Sequence, residues 1–211
     1  MKPKSRIKSK TAFYRRRPRR SALPLILIVC EGEQTEPIYF KYIKSKRNLD
    51  SITVIHAKKE GSALGVVEKA IQAIERRHRD TTKEPFEEKY CVFDVEIPID
   101  ATIPDAIALA RQNDIQVIMT NPCFEYWYIL HFKVICPMFD NNGQVVSELE
   151  KEFPEYNKSS ENICKKIFPD TMDAISNAKA LEQSNSWGRD LTQHNSSTHV
   201  HNLVEHLFKI S

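Results

Sequence analysis

The sequence predicts an open parallel α/β sheet of about four strands, flanked by helices and followed by helical additions. Three observations predict it. Four short apolar runs recur between residues 25 and 119. Stretches with apolar residues every three to four positions separate them. The first run, Leu25 to Cys30, is continuously apolar rather than alternating, as expected of a strand covered on both faces in a parallel sheet.

The first run is Leu25-Ile26-Leu27-Ile28-Val29-Cys30, which ends in a polar turn. Thr35 can then cap a helix that carries Glu36 and Pro37 in its first turn and Tyr39, Tyr42 and Ile43 along one side. Ile52-Thr53-Val54-Ile55 is the second run, and Ser62 can cap a helix with Leu64, Val67, Ile71 and Ile74 on one face. The charged stretch Arg76 to Lys89, with Pro85, reads as a helix end and a loop. Tyr90-Cys91-Val92-Phe93 then runs extended into Asp94-Val95-Glu96. Thr102 and Pro104 open a third helix, with Ile103, Ile107 and Ala110 inward, and Ile115 to Met119 forms the fourth strand.

From Asn121 the pattern turns helical, with segments expected at Phe124 to His131, Val145 to Phe153, Ile163 to Phe168, Asp170 to Glu182 and Thr198 to Phe208. Gln183 to Ser197, rich in Ser and Asn, is expected to be a mobile loop. The resulting organisation is a basic arm at residues 1–20, an α/β domain at 21–135 and a helical part at 136–211 that packs on or caps the sheet.

The chain has 211 residues, 41% of them hydrophobic and 28% charged, enough to bury a substantial core under an ordinary polar surface. Its longest apolar run, Leu23 to Cys30, is eight residues long and contains Pro24, whereas a bilayer span needs about 20. A membrane span is therefore not expected. The polar and acidic stretch Glu31 to Glu36 follows without a small-residue cleavage site, so the expected location is the cytoplasm. Five cysteines at no knuckle spacing argue for core thiols rather than disulfides or structural zinc.

Charge is unevenly distributed. Residues 1–20 hold four lysines, six arginines and no acid, which leaves 21 basic against 28 acidic residues, a net −7, for the rest. Arg15, Arg16, Arg17, Arg19 and Arg20 beside Phe13 and Tyr14 suit a nucleic acid, because guanidinium groups pair with phosphate and aromatic rings stack on bases. A solubilising arm, or one docking on an acidic protein, is the plainer reading.

Ligands of open α/β sheets collect at the carboxyl ends of the strands, and acids stand there twice. Glu31, Glu33 and Glu36 follow the first strand, and Asp94 and Glu96 end the third. Residues two apart on an extended chain point the same way, so Asp94 and Glu96 are expected to converge. Gathered carboxylates repel, and Mg²⁺ or Mn²⁺ would relieve them with oxygen ligation. Singly, Glu36 is also an ordinary acid at a helix start, and Asp94 with Glu96 an ordinary solvated strand end. Glu33 reads as turn surface. Lys58 and Lys59, after the second strand, are either phosphate contacts or a solvated turn. The five glycines form neither nucleotide-binding fingerprint.

The string Cys30-Glu31-Gly32-Glu33-Gln34-Thr35-Glu36-Pro37-Ile38-Tyr39-Phe40 resembles the first motif of the RloB family, a branch of the Toprim superfamily. Val92 to Glu96 is similar to that family's strand-ending acidic pair. Asn121 to Phe132 is similar to its aromatic motif, and Asn195 to His201 to its C-terminal helix start. The resemblance implies a Toprim-like fold, with Glu31 as general acid/base or metal ligand, Glu36 as a second glutamate, and Asp94 and Glu96 as the metal-binding pair. Glu96 stands where an aspartate is usual. Glu125 and His131 are the accessory candidates of the aromatic motif, although a lone histidine among aromatics is usually structural. Phe124, Trp127, Tyr128 and Leu130 are expected in the core.

By analogy the resemblance implies a magnesium-dependent nuclease effector of prokaryotic antiphage defence or abortive infection. Its substrate would be RNA, transfer RNA included, or DNA, and its partners nucleic acid and an ATPase encoded alongside, with no membrane and with self-association left open. The alternative is an inactive Toprim-fold adaptor that binds nucleic acid or the ATPase.

Overall fold

The computed structural model describes residues 23–57, 61–188 and 190–211. The arginines of the arm, and Lys58 and Lys59, lie outside the described residues. Four strands, β1 (Ile26–Cys30), β2 (Ile52–His56), β3 (Glu88–Asp94) and β4 (Gln116–Asn121), pair in parallel in the order β2-β1-β3-β4. Helix α1 (Thr35–Lys46) links β1 to β2, α2 (Ala63–Arg79) links β2 to β3, and α3 (Ile103–Gln112) links β3 to β4. All five residues of β1 are fully buried, in keeping with its uninterrupted apolar sequence.

The sheet is mixed rather than wholly parallel. A fifth strand, β5 (Ser197–Thr198), pairs antiparallel with β4, Thr120 opposite Thr198 and Asn121 opposite Ser197. The expected mobile loop is therefore wrong at its end. Ser196, Ser197 and Thr198 are fully buried, and the Thr198 and Thr120 hydroxyls are 3.0 Å apart. The Ser196 hydroxyl donates to the Pro137 carbonyl at 2.7 Å and the Thr198 hydroxyl accepts from the Val200 N–H at 3.1 Å, whereas the buried Ser197 hydroxyl has no partner.

The C-terminal helices are α4 (Glu125–Ile129), α5 (Asn142–Glu152), α6 (Asn162–Ile167), α7 (Thr171–Asn185) and α8 (Val200–Ile210). Helix α8 has Val200, Leu203, Val204 and Leu207 inward, packs against α7 and β4, and its Phe208 ring receives Arg47. Tyr39 and Phe40 of α1 meet Phe124, Trp127 and Tyr128 around α4, with ring centroids 5.5 to 6.5 Å apart at mostly edge-on angles. This aromatic cluster fixes the start of α1 against α4. It thereby sets where the acids of both segments stand. Among the described residues, no helix is long and apolar enough to cross a membrane.

The direction in which successive strands are added across the sheet reverses between β1 and β3. The β1-to-β2 step goes one way across the sheet, and the steps to β3 and β4 go the other. Such a reversal opens a crevice at the carboxyl ends of the two diverging strands. Glu31 follows β1 and Asp94 ends β3 at that place.

Candidate metal centre

One cavity of about 410 Å³ lies over the reversal point and gathers Glu31, Glu36, Asp94, Glu96 and Glu125. Exposed Glu33 is on its rim. Three larger cavities, of about 920, 750 and 480 Å³, contain no such collection of carboxylates. The four acids expected from the two strand ends are thus brought together, with Glu125 as a fifth. His131 does not line this cavity. Its Nδ1 lies 3.0 Å from the Trp127 carbonyl and its ring meets the Trp127 ring edge-on, so it is a core residue.

Each acid is held by its own local structure. Glu31 begins the loop after β1, where its N–H donates to the Val92 carbonyl at 2.9 Å and its Oε2 accepts from the Asp94 N–H at 3.0 Å. Glu36 folds back over the same loop, and its Oε1 accepts from the Gly32 N–H at 3.0 Å. A side chain at Gly32 would strike the Glu36 carboxylate, which explains the glycine.

The extended run expected through Glu96 ends two residues earlier, at Asp94. The Val95 N–H donates to the Thr120 carbonyl at 2.8 Å and the Glu96 N–H to the Pro122 carbonyl at 3.0 Å, which binds this segment to the end of β4. Glu96 takes a left-handed backbone, with φ of 60°. It therefore reaches the cavity by a turn and not by strand alternation, a correction to the argument from spacing.

Thr35 also departs from expectation. It opens α1, but no side-chain cap bond forms there, and its hydroxyl donates to Glu125 Oε1 at 3.4 Å. Two residues that sequence reasoning missed serve the same oxygen. Tyr156 OH donates at 2.7 Å, and Lys158 Nζ lies at 3.3 Å. Both come from the segment between α5 and α6, which has no motif or periodicity to single it out.

Burial pushes Glu31 up to about 7 against the Asp94 N–H hydrogen bond, with Glu96, Glu36 and Asp100 adding repulsion. Burial also raises Asp94 well above the carboxylate range, with Glu36, Glu125 and Glu31 adding repulsion. Glu36 is raised as well, chiefly by burial. Glu125 differs. Burial raises it, but Lys158 and Tyr156 oppose this, and the balance leaves it below its ordinary value.

Asp94 Oδ1 is buried and has no hydrogen-bond partner. A buried carboxylate oxygen without a donor is costly and calls for a cation or a proton. All the acidic donors are hard oxygens, which suits Mg²⁺ or Mn²⁺ and not a thiolate-seeking metal. The chemistry of the set fits such an ion. The cage is not preformed, since among the described residues no three His, Cys, Asp or Glu side chains are grouped to hold one.

A family model described as RloB-like protein matches residues 26–207, from β1 through most of α8. Comparison with curated proteins and with solved structures gives no match.

Proposed function

The chain belongs to the RloB-like family, and from that premise we propose that it is a divalent-cation-dependent phosphodiesterase of the Toprim type, acting on nucleic acid. The observation that carries the proposal is the buried, unpartnered Asp94 Oδ1 in a cavity shared with Glu31, Glu36 and Glu96. Glu31, Asp94 and Glu96 would hold Mg²⁺ or Mn²⁺, with Glu36 completing the set. When bound, such an ion stabilises charge on a phosphoryl group and lowers the pKa of water.

The residues themselves supply the rest. Glu31 has Oε2 committed to the Asp94 N–H, so Oε1 is the atom available to exchange a proton. Without a cation, burial holds this carboxyl up at about 7, and a bound divalent ion would bring it down and favour the base form. Glu36, tied to the Gly32 N–H, keeps its charge directed at the same cavity. The ten cations of residues 1–20 would add affinity for RNA or DNA without sequence preference. In the setting implied by the family, this activity would serve antiphage defence beside a partner ATPase.

A second reading, a Toprim-fold adaptor without catalysis, is favoured by the absence of a preformed cage among the described residues and by Glu96 in its turn. One experiment separates the two. Purified protein is titrated with Mg²⁺ or Mn²⁺ against labelled single-stranded DNA, duplex DNA and total transfer RNA, beside Glu31→Ala and Glu96→Ala. Cation-dependent cutting that disappears in Glu31→Ala is the expected result. No cutting, together with no heat of cation binding, would select the adaptor.

A further inference from the structure

Among the described residues lining the acidic cavity, Lys158 is the single cation against five carboxylates and a sixth, Glu33, on the rim. A phosphodiester approaching this site meets repulsion from the acids, and a bound divalent ion offsets only part of it. Lys158 is placed to offset more. Its side chain is 56% exposed, while that of its partner Glu125 is 3% exposed. One of the three ammonium donors faces Glu125 Oε1 at 3.3 Å, and the others are free to turn toward the cavity.

Glu125 is arranged as an anchor. Its Oε1 takes the Thr35 hydroxyl at 3.4 Å, the Tyr156 hydroxyl at 2.7 Å and the Lys158 ammonium at 3.3 Å. Three donors from α1 and from the segment between α5 and α6 converge on one oxygen. Glu31 and Asp94 have no such compensation on Oε1 and Oδ1, respectively. The five cavity acids thus divide into a group available to a cation and one carboxylate already neutralised by a lysine.

We propose that Lys158 binds the substrate phosphate at this site, and that Glu125 is a positioning residue that holds the ammonium at the rim rather than a ligand of the divalent ion. This rests on the reading of the cavity as a phosphodiesterase site. It also assigns a role to the segment between the helices, which delivers a phosphate contact into a crevice formed by the sheet.

The test uses the full chain and a fluorescently labelled single-stranded DNA 12-mer in Ca²⁺, with affinity followed by anisotropy across a salt series. Lys158→Met should weaken binding about tenfold at fixed salt, as expected for loss of a charged hydrogen bond. It should also reduce the magnitude of the salt slope by about 0.7, the value for one phosphate contact on a single strand. Lys158→Arg should restore most of both, and Glu125→Gln should weaken DNA binding while leaving Mg²⁺ affinity by calorimetry unchanged. An unaltered slope in Lys158→Met would overturn the phosphate role. Equal losses in the Met and Arg variants would overturn it too, by making the pair with Glu125 purely structural. Loss of Mg²⁺ affinity in Glu125→Gln would overturn the division of the acids. Failure of the unaltered chain to cut any substrate would instead reject the phosphodiesterase reading, while the binding comparison would still decide for or against Lys158.

Discussion

The Glu31 carboxylate at the end of β1 accepts the main-chain N–H of Asp94 at the end of β3, 3.0 Å away across 63 residues of sequence. This bond locks together the two strand ends at which the sheet reverses direction, and it leaves Glu31 Oε1 and Asp94 Oδ1 without a donor. Glu31→Gln retains an acceptor for the Asp94 N–H but removes a charge from a crowded acidic site. The variant is expected to fold, to melt higher than the unaltered chain at pH 8 without added cation, and to bind Mg²⁺ at least tenfold more weakly. Differential scanning calorimetry and titration calorimetry measure the two effects. A lower melting temperature with unchanged Mg²⁺ affinity would make Glu31 a structural residue.

The raised carboxyl groups also set a pH dependence. Glu31 titrates near 4.5 as a free side chain and near 7 in the folded protein, so between those values the folded chain holds more protons than the unfolded one. Its contribution to stability therefore falls as pH rises through that window. The size is about 1 to 2 kcal/mol once partial exposure is discounted. Buried His131, lowered from 6.5 to about 4, gives the opposite slope between those values, so the Glu31 share is the difference between the unaltered chain and Glu31→Gln. That difference should grow from pH 5 to pH 8, and 5 mM Mg²⁺, a concentration of about physiological order, should close it at pH 8 while doing little at pH 5. A difference independent of pH would reject the raised carboxyl.

Much of this site was legible in the sequence because its parts are local. Continuous apolar runs such as Ile26 to Cys30 identify buried parallel strands, and acids directly after them stand at the carboxyl edge. What was not legible depends on contacts far apart in the chain. The Thr35 hydroxyl has a capping pattern but is recruited by Glu125, 90 residues on. Lys158 and Tyr156 acquire meaning only when the C-terminal helices pack around α4. Strand β5 is two polar residues long and is specified by its pairing with Thr120 and Asn121, which no periodicity records. Glu96 was placed in the right cavity by the wrong route, since hydrogen bonds to β4 and not strand alternation aim it.

Gly32 offers a test that leaves every carboxylate in the sequence. Its N–H holds Glu36 Oε1, and an added Cβ would overlap the same carboxylate. Gly32→Ala should displace Glu36 and reduce Mg²⁺ affinity by about tenfold, a loss typical of disturbed support around a metal ligand. Far-ultraviolet circular dichroism should be unchanged. Full Mg²⁺ affinity in this variant would show that Glu36 does not need its present position.

The basic arm makes a separate prediction, because its ten cations stand apart from the acidic remainder. Removing residues 1–20 should weaken binding to a single-stranded oligonucleotide and flatten its salt dependence by about 0.7 for every phosphate that the arm neutralises. The affinity for Mg²⁺ should stay as it is. An unchanged salt slope would exclude the arm from nucleic-acid binding.

At Glu96 the proposed metal role can be weighed against stability at one position. Its left-handed backbone costs a non-glycine residue roughly 1 kcal/mol, and its side chain is exposed, so folding alone gives no reason for glutamate there. Glu96→Gly should therefore raise unfolding free energy by about that amount, measured by urea denaturation, while weakening Mg²⁺ binding. Glu96→Asp should keep the ion, because aspartate tolerates the left-handed region and supplies the same oxygen donors from a shorter stem. If Glu96→Gly is more stable and binds Mg²⁺ as before, Glu96 is not a ligand and the adaptor reading gains. Greater stability accompanied by loss of the ion would mean that the strained turn is maintained for the carboxylate it presents.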